Sequence, residues 1–270
     1  MKTLHIRSIS AIVYVILIAA SILLHKSAFA SVLLIFNLLA MQEFFAMQKQ
    51  RSALRIPALT LGSAGFVFSH LVLSFGFNQE WLALLLLIPV ILLLFSLFSK
   101  QENVLPDLFS AIFGIAYITL PLMLLNHINL KAEGPFSPII FAMFFIIWAN
   151  DVFAYLTGMA IGRHKIFERI SPKKTWEGFF GGLVASLIVG YLSLSLTGGI
   201  ELWLWIIISG LIAMASVLGD FAESLLKRTY GVKDSGKLIP GHGGVLDRID
   251  SLLFVVPVLY VCLKIINQIQ

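Results

Sequence analysis

The sequence predicts an all-α, polytopic integral membrane protein of about nine transmembrane helices. Composition is the first reason: 59% of the 270 residues are apolar and only 12% are charged, whereas soluble domains carry about 25% charged residues. The second is the arrangement of the apolar residues in runs, at 8–24, 28–46, 56–76, 80–98, 106–126, 137–159, 178–197, 201–219 and 250–268. A helix needs roughly 20 such residues to cross a hydrocarbon core. The third is the absence of any repeat, low-complexity segment or linker, so residues 1–270 read as one transmembrane domain. Within it, 1–130 is mainly scaffold and 137–270 carries the polar chemistry.

Taken in order, the first run follows Lys2 and Arg7 in the manner of a signal peptide. No small-residue cleavage site precedes a soluble chain, so it reads as the first span. His25, His70 and His127 stand near run ends as interfacial polar residues. Glu43 closes the second run beside the basic stretch 49–55 and reads as one half of an interfacial ion pair. Pro57, Pro89 and Pro121 are kinks or helix starts that a membrane helix tolerates. With the N-terminus inside, all of the 19 lysines and arginines except Lys26, Lys131 and Lys264 fall on the inner side, which sets the orientation.

The sixth run carries Asp151 about two turns from its inner end, where a carboxylate is costly without a partner. Its structural alternative is a pair with a base of the next loop. Ser171-Pro172 reads as the N-cap and first residue of a helix, which places Lys173 and Lys174 in a first helical turn. Lysines there oppose the macrodipole, and an anion bound at that turn would account for them. Gly178, Gly181, Gly182 and Ser186 give the seventh run a small face for close helix packing. In the eighth, Asp220, Glu223 and Lys227 share a face, and Glu223 and Lys227 have the spacing of an ion pair. Asp247 and Asp250 repeat the three-residue spacing at the entry to the ninth. Cys262, the one cysteine, excludes an intramolecular disulfide and a cysteine-based zinc site.

The stretch 224–250 is the longest polar segment. It holds Lys227, Arg228, Lys233, Lys237 and Arg248, the acids Asp234, Asp247 and Asp250, and the turn Pro240-Gly241-His242-Gly243-Gly244. Clustered carboxylates at a membrane boundary call for a divalent cation with oxygen ligands. Lysines and arginines neutralise phosphate, and a Gly-rich turn can direct N–H groups at it. A net charge of +5 suits anionic headgroups and anionic substrates without choosing between them.

At Ser224, Lys227, Arg228, Lys233, Asp234, Gly236, Pro240, His242, Gly243, Gly244, Asp247, Arg248 and Asp250 this stretch resembles the signature of the CDP-diacylglycerol synthases, or phosphatidate cytidylyltransferases. S-P-K-K-T-W-E-G from Ser171 and D-x-x-A-Y-x-x-G from Asp151 match the same family, so the resemblance covers the second half of the chain. It implies transfer of CMP from CTP to phosphatidate, with CDP-diacylglycerol and pyrophosphate as products. Mg²⁺ is the implied cofactor, and the identity of any second cation stays open. Asp220, Asp247 and Asp250 are the expected metal ligands, with Glu223 and Asp151 beside them or on the second cation. Lys227 and Arg228 act at the reacting phosphates. Lys173, Lys174, Lys233, Arg248 and the turn of His242, Gly243 and Gly244 bind substrate. The expected partners are CTP, phosphatidate and membrane lipids, with no nucleic acid; a homo-oligomer is compatible. The expected location is the plasma membrane of a prokaryote, with the site facing the cytoplasm. The rival readings are a cation-coupled transporter and a CTP-dependent lipid kinase.

This topology puts Ser171 and Ser235 inside and Gln79 outside. In a Cys262→Ala background, an impermeant thiol reagent should label Gln79→Cys in whole cells and reach Ser171→Cys only after permeabilisation. The reverse pattern would overturn the orientation.

Overall fold

A backbone surrounded by apolar side chains and lipid must satisfy its N–H and C=O groups within its own segment, which leaves helix as the form for long apolar runs. The computed structural model describes residues 2–48, 52–98, 104–134, 136–197, 199–239 and 243–266. Ten α-helices occur among them: α1 (Lys2–Leu24), α2 (Lys26–Met47), α3 (Arg55–Ser74), α4 (Ile88–Leu97), α5 (Val104–Gly114), α6 (Leu120–Lys131), α7 (Pro138–Ile161), α8 (Trp176–Leu192), α9 (Leu202–Thr229) and α10 (Leu246–Ile265). A 3-10 segment, Gln79–Leu87, leads into α4, and a π-helical segment, Ile115–Thr119, joins α5 to α6.

The nearly all-helical expectation is met, with one departure. Lys165–Phe167 (β1) and Ser171–Thr175 (β2) pair as an antiparallel hairpin, Lys165 opposite Thr175 and Phe167 opposite Ser171. The membrane character is met as well. Among the described residues six helical segments are long and apolar enough to cross a membrane: Lys26–Met47, Arg55–Ser74, Gln79–Leu97, Val104–Lys131, Pro138–Ile161 and Leu202–Thr229. Ile12–Leu24 and Trp176–Leu192 are apolar but shorter. α10 opens with Asp247, Arg248 and Asp250, which dilute its apolar character.

The chain forms two compact units, one of residues 1–130 with 232–248, the other of 131–231 with 249–270. In the first, α1 packs on α2 and α2 on α3, around the buried side chains of Phe29, Leu33, Phe44, Phe66 and Leu122. The π-helical widening lies just before Pro121, which has no N–H to give the carbonyl of Tyr117. Thr119 Oγ1 in that segment donates to Asn37 Oδ1 (2.7 Å), and Asn37 Nδ2 donates to Ser63 Oγ (3.3 Å). The expected small polar residues of an apolar bundle thus satisfy one another across helices.

The second unit is built on α7 against α8, with α9 packed on both. Trp205, fully buried, donates its indole N–H to Ser193 Oγ at 3.3 Å. The small face of α8 is used as the sequence suggests. A Cβ on Gly182 would stand 2.7 Å from the carbonyl oxygen of Asn150, and one on Gly178 2.7 Å from that of Ala154. Backbone oxygens cannot yield as a side-chain tip can. Gly182→Ala should therefore destabilise the protein by about 1–3 kcal/mol. Gly210→Ala, whose new methyl would meet only Leu187 Cδ2 at 3.6 Å, should be neutral or slightly stabilising. Thermal unfolding of the two variants in the same detergent checks the contrast.

Candidate active site

The second unit gathers carboxylates from three helices. α9 supplies Asp220 and Glu223, one turn apart; α10 supplies Asp250; α7 supplies Asp151. Lys174 Nζ bonds Asp220 Oδ2 at 2.5 Å, and Ser251 Oγ donates to Asp220 Oδ1 at 2.7 Å. Lys227 forms the i,i+4 ion pair with Glu223, whose side chain is almost wholly buried. Asp250 stands within electrostatic reach of Asp220 and Glu223, and Asp151 of Asp220 and Lys174. The backbones touch where the acids meet. A Cβ on Gly219 would lie 2.6 Å from the carbonyl oxygen of Asp250 and 2.9 Å from Ser251 Cα. Glycine just before Asp220 is what lets α9 and α10 close there.

Local folding corrects the reading of 171–175. The helix does not begin at Ser171-Pro172. It begins at Trp176, with Thr175 as N-cap and its Oγ1 accepting the N–H of Gly178 at 3.2 Å. Proline suits a strand edge as well as a helix start, and the Thr175 cap decides the boundary. Lys173 and Lys174 therefore lie in β2, where successive side chains point to opposite faces. Lys173 is exposed. Lys174 turns inward to Asp220, with its ammonium 4.7 Å from the centroid of the Phe221 ring. The pair has two different environments rather than one shared anion site.

Glu177 fixes the hairpin. Its carboxylate accepts the backbone N–H of Arg163 (3.1 Å), the N–H of His164 (3.2 Å) and a bond with His164 Nδ1 (2.6 Å). The hairpin loop 163–170 lines a concavity of about 720 Å³ carrying Arg163, Lys165 and Arg169.

In the first unit, Asp247 and the Gly-rich turn satisfy each other. Asp247 Oδ2 accepts the N–H of Gly244 (2.7 Å), the N–H of Ser235 (2.9 Å) and Ser235 Oγ (2.8 Å). Gly243 takes φ +85°, and a Cβ there would sit 2.4 Å from Asp247 Oδ2. The N–H of Gly244 is thus engaged by the protein's own carboxylate rather than presented to a phosphate. Glu43 accepts the N–H groups of Val245 (3.0 Å) and Leu246 (2.8 Å); Lys49 and Arg51 of its expected ion pair lie outside the described residues. Lys233, Arg228 and Arg248 are exposed; His242 lies outside the described residues.

Sequence spacing finds Asp220, Glu223 and Lys227 on one face and Asp247 and Asp250 as a separate pair; the structure adds Asp250 to the first group within the second unit. The three expected first ligands divide, with Asp220 and Asp250 in the second unit and Asp247 in the first. Sequence reasoning misses Ser251, Gly219 and Ser216. Ser251 is signalled only by following Asp250, and Gly219 only by preceding Asp220. Ser216 and the side-chain amide of Asn150 are buried beside Asp151 and face its carboxyl group.

The donor set suits a divalent cation. Four carboxyl groups and the ammoniums of Lys174 and Lys227 share this cluster, so carboxyls outnumber ammoniums. Among the described residues, no three His, Cys, Asp or Glu side chains are grouped as metal ligands. Mg²⁺ takes one or two carboxylates and completes its octahedron with phosphate oxygens and waters.

Residues 5–266 match the family described as the cytidylyltransferase family. A phosphatidate cytidylyltransferase of Staphylococcus saprophyticus is 42% identical over 187 residues, 69% of this chain and 70% of the relative. The proteins of that name from Staphylococcus epidermidis and Staphylococcus aureus are 38% identical over 180 residues, 66% of this chain and 68% of theirs.

The Glu177 clamp has a pH signature. Its own backbone N–H, followed by the His164 ring, pulls its carboxyl down to about 2. The contribution is therefore complete above the ordinary carboxylate range and is lost as pH falls through about 2. Between pH 5 and 8, amide exchange of 163–170, corrected for intrinsic rate, should not change, whereas Glu177→Ala should speed it about tenfold. Hydrogen exchange read by mass spectrometry checks both.

Proposed function

The chain belongs to the cytidylyltransferase family, and on that premise we propose that it transfers CMP from CTP to phosphatidate, giving CDP-diacylglycerol and pyrophosphate. The observation that carries this reading beyond the family is the Asp220 cluster. It combines an excess of carboxyl groups with two lysines in a unit whose helices α7 and α9 are apolar enough to cross a membrane. Such a site can meet a lipid headgroup while the acyl chains stay in the bilayer. Location in the plasma membrane and access from the cytoplasm, where CTP is made, complete the reading.

The chemistry asks little of a general base, because the attacking phosphate monoester of phosphatidate is already anionic near pH 7. The obstacle is the approach of two polyanions. Asp220 and Asp250 would hold Mg²⁺, which when bound screens that repulsion and stabilises the pyrophosphate leaving group. Glu223 and Asp151 support this pair or serve a second cation. Lys174 holds Asp220 ionised and oriented, and Ser251 fixes its other oxygen. Lys227, Arg228, Lys173, Lys233 and Arg248 supply positive charge for the triphosphate and the lipid phosphate. Asp247 remains a proposed metal ligand, and Gly243, Gly244 and His242 remain proposed substrate-binding residues.

Cys262 lies far along α10 from its acidic end, and His242, the other candidate nucleophile, lies outside the described residues. With the anionic oxygen of phosphatidate as nucleophile, the proposed step is a direct in-line displacement at the α-phosphorus, with inversion. Purified protein with phosphatidate, Mg²⁺ and CTP labelled in the α-phosphate should yield a lipid-linked cytidine product. γ-Labelled CTP should give labelled pyrophosphate and no labelled lipid. Lipid labelled from the γ-phosphate would favour the kinase reading, and no lipid product at all would return the transporter. Asp220→Asn and Asp250→Asn should lower turnover at least 100-fold. Lys174→Ala should cost far more than Lys173→Ala, because only Lys174 neutralises a half-buried carboxylate. Retention of configuration at phosphorus, read with an α-thio analogue of CTP, would sink the direct mechanism.

A further inference from the structure

Glu43 lies near the end of α2, in the half of the chain that its sequence marks as scaffold. Its carboxylate lies instead against a loop almost two hundred residues further on. Oε1 accepts the N–H of Val245 at 3.0 Å and Oε2 the N–H of Leu246 at 2.8 Å. These are the amides at the very start of α10, where helical geometry provides no acceptor and a negative charge opposes the positive end of the macrodipole. α10 has no Ser, Thr, Asp or Asn of its own placed as N-cap, since Val245 precedes Leu246. A residue from another helix performs that task.

The loop is shaped around this carboxylate. A Cβ on Gly244 would stand 2.3 Å from Glu43 Oε2, and a Cβ on Gly236 2.5 Å from Oε1. Both glycines are needed for the room they leave to Glu43, not for a positive φ. Ser235 Oγ lies 3.2 Å from Glu43 Oε2 and 2.8 Å from Asp247 Oδ2. A hydroxyl has one hydrogen, so the shorter contact to Asp247 is the bond, and Glu43 packs beside it. Tyr14, stacked on Phe36 at 5.9 Å between centroids, gives its hydroxyl to the carbonyl of Arg248 at 3.2 Å. Within the first unit the first turn of α10 is therefore held at its amides by Glu43, at its Asp247 side chain by Ser235 and Gly244, and at Arg248 by Tyr14.

We propose that Glu43 is a positioning residue for the transfer reaction: it clasps the loop 235–246 and thereby sets Asp247 and Arg248 at the start of α10. The proposal rests on the cytidylyl-transfer reading for its effect on turnover, and on geometry alone for the clasp. Charge and shape are both required. Glutamine keeps the length but turns one acceptor into an NH₂ donor facing a backbone donor. Aspartate keeps the charge but is one methylene short of both amides.

Three variants in lipid nanodiscs test it: Glu43→Gln, Gly236→Ala, whose methyl would press on the same carboxylate, and Gln42→Ala as an exposed control on the same helix. Hydrogen exchange across 232–248 should quicken about tenfold in the first two, with α7–α9 unchanged. Their kcat should fall at least tenfold while the KM for CTP moves less than threefold, and thermal midpoints should stay within a few degrees of the parent. The double variant Glu43→Gln/Gly236→Ala should be little worse than either single change, because both break one contact. Unchanged exchange would overturn the clasp. Faster exchange with unchanged kcat would overturn the positioning role and leave Glu43 a helix cap. A parent protein inactive with CTP and phosphatidate would instead be a failure of the functional reading, and the exchange comparison would then decide the clasp by itself.

Discussion

An ionised carboxylate at the end of an apolar helix must be given a partner, because leaving it bare costs several kcal/mol. Much of the fold is arranged around that constraint, and the two units meet it differently. In the first, Glu43 and Asp247 take backbone N–H groups, from Val245 and Leu246 in one case and from Ser235 and Gly244 in the other. In the second, Asp220 and Glu223 take the ammoniums of Lys174 and Lys227. The distinction has chemical weight. Backbone donors are fixed by the fold, so they hold in place the acids they serve. An ammonium on a flexible stem can move from a carboxylate to an incoming phosphate, so the acids it serves can also accept a cation when a polyanion arrives.

The hairpin 165–175 shows how a short local pattern misleads. Ser-Pro is a sound helix-start signal in isolation, and two lysines after it invite an anion. Thr175 provides a second start signal four residues later, and pairing of Lys165–Phe167 with Ser171–Thr175 gives the intervening backbone an alternative set of hydrogen bonds. Once the segment is a strand, alternation separates the lysines. One is turned to Asp220 and Phe221, and the other to solvent. The functional meaning of K-K thus depends on whether the period is two or 3.6, which the dipeptide does not encode.

What the sequence makes legible is what repeats along a helix. Asp220, Glu223 and Lys227 fall on one face by their spacing, the small face of α8 by its glycines, and the membrane character by the apolar runs. The family signature adds the reaction. What it hides are contacts that only tertiary folding creates. Glu43 is seen next to Lys49, Arg51 and Arg55 in the chain, and the amides of Val245 and Leu246 that it accepts have no side-chain signature at all. Gly236 and Gly244 look like flexible turn residues, and their role in leaving space for Glu43 needs the other helix to be in place. Of the nine apolar runs, six fall in described helical segments that are long and apolar enough to cross a membrane, and acids at the head of α10 dilute its apolar character.

Asp247 and Asp250 look equivalent in D-R-I-D, yet their places on α10 give them different needs. Asp247 is the second residue of the helix, within the first turn, where backbone N–H groups have no helical acceptor and a neighbouring loop can fold back to donate. It takes up donors from Ser235 and Gly244 there. Asp250 lies one turn on, where its Oδ1 accepts the single N–H of Ser251 at 2.9 Å. Its other surroundings are the charges of Asp220 and Glu223. Two carboxylates brought that close, by a glycine that lets two helix backbones touch, gain most from a shared cation. The same three-residue spacing therefore sets one acid against a loop and the other against two further carboxyl groups, and the asymmetry follows from helix geometry before any substrate is considered.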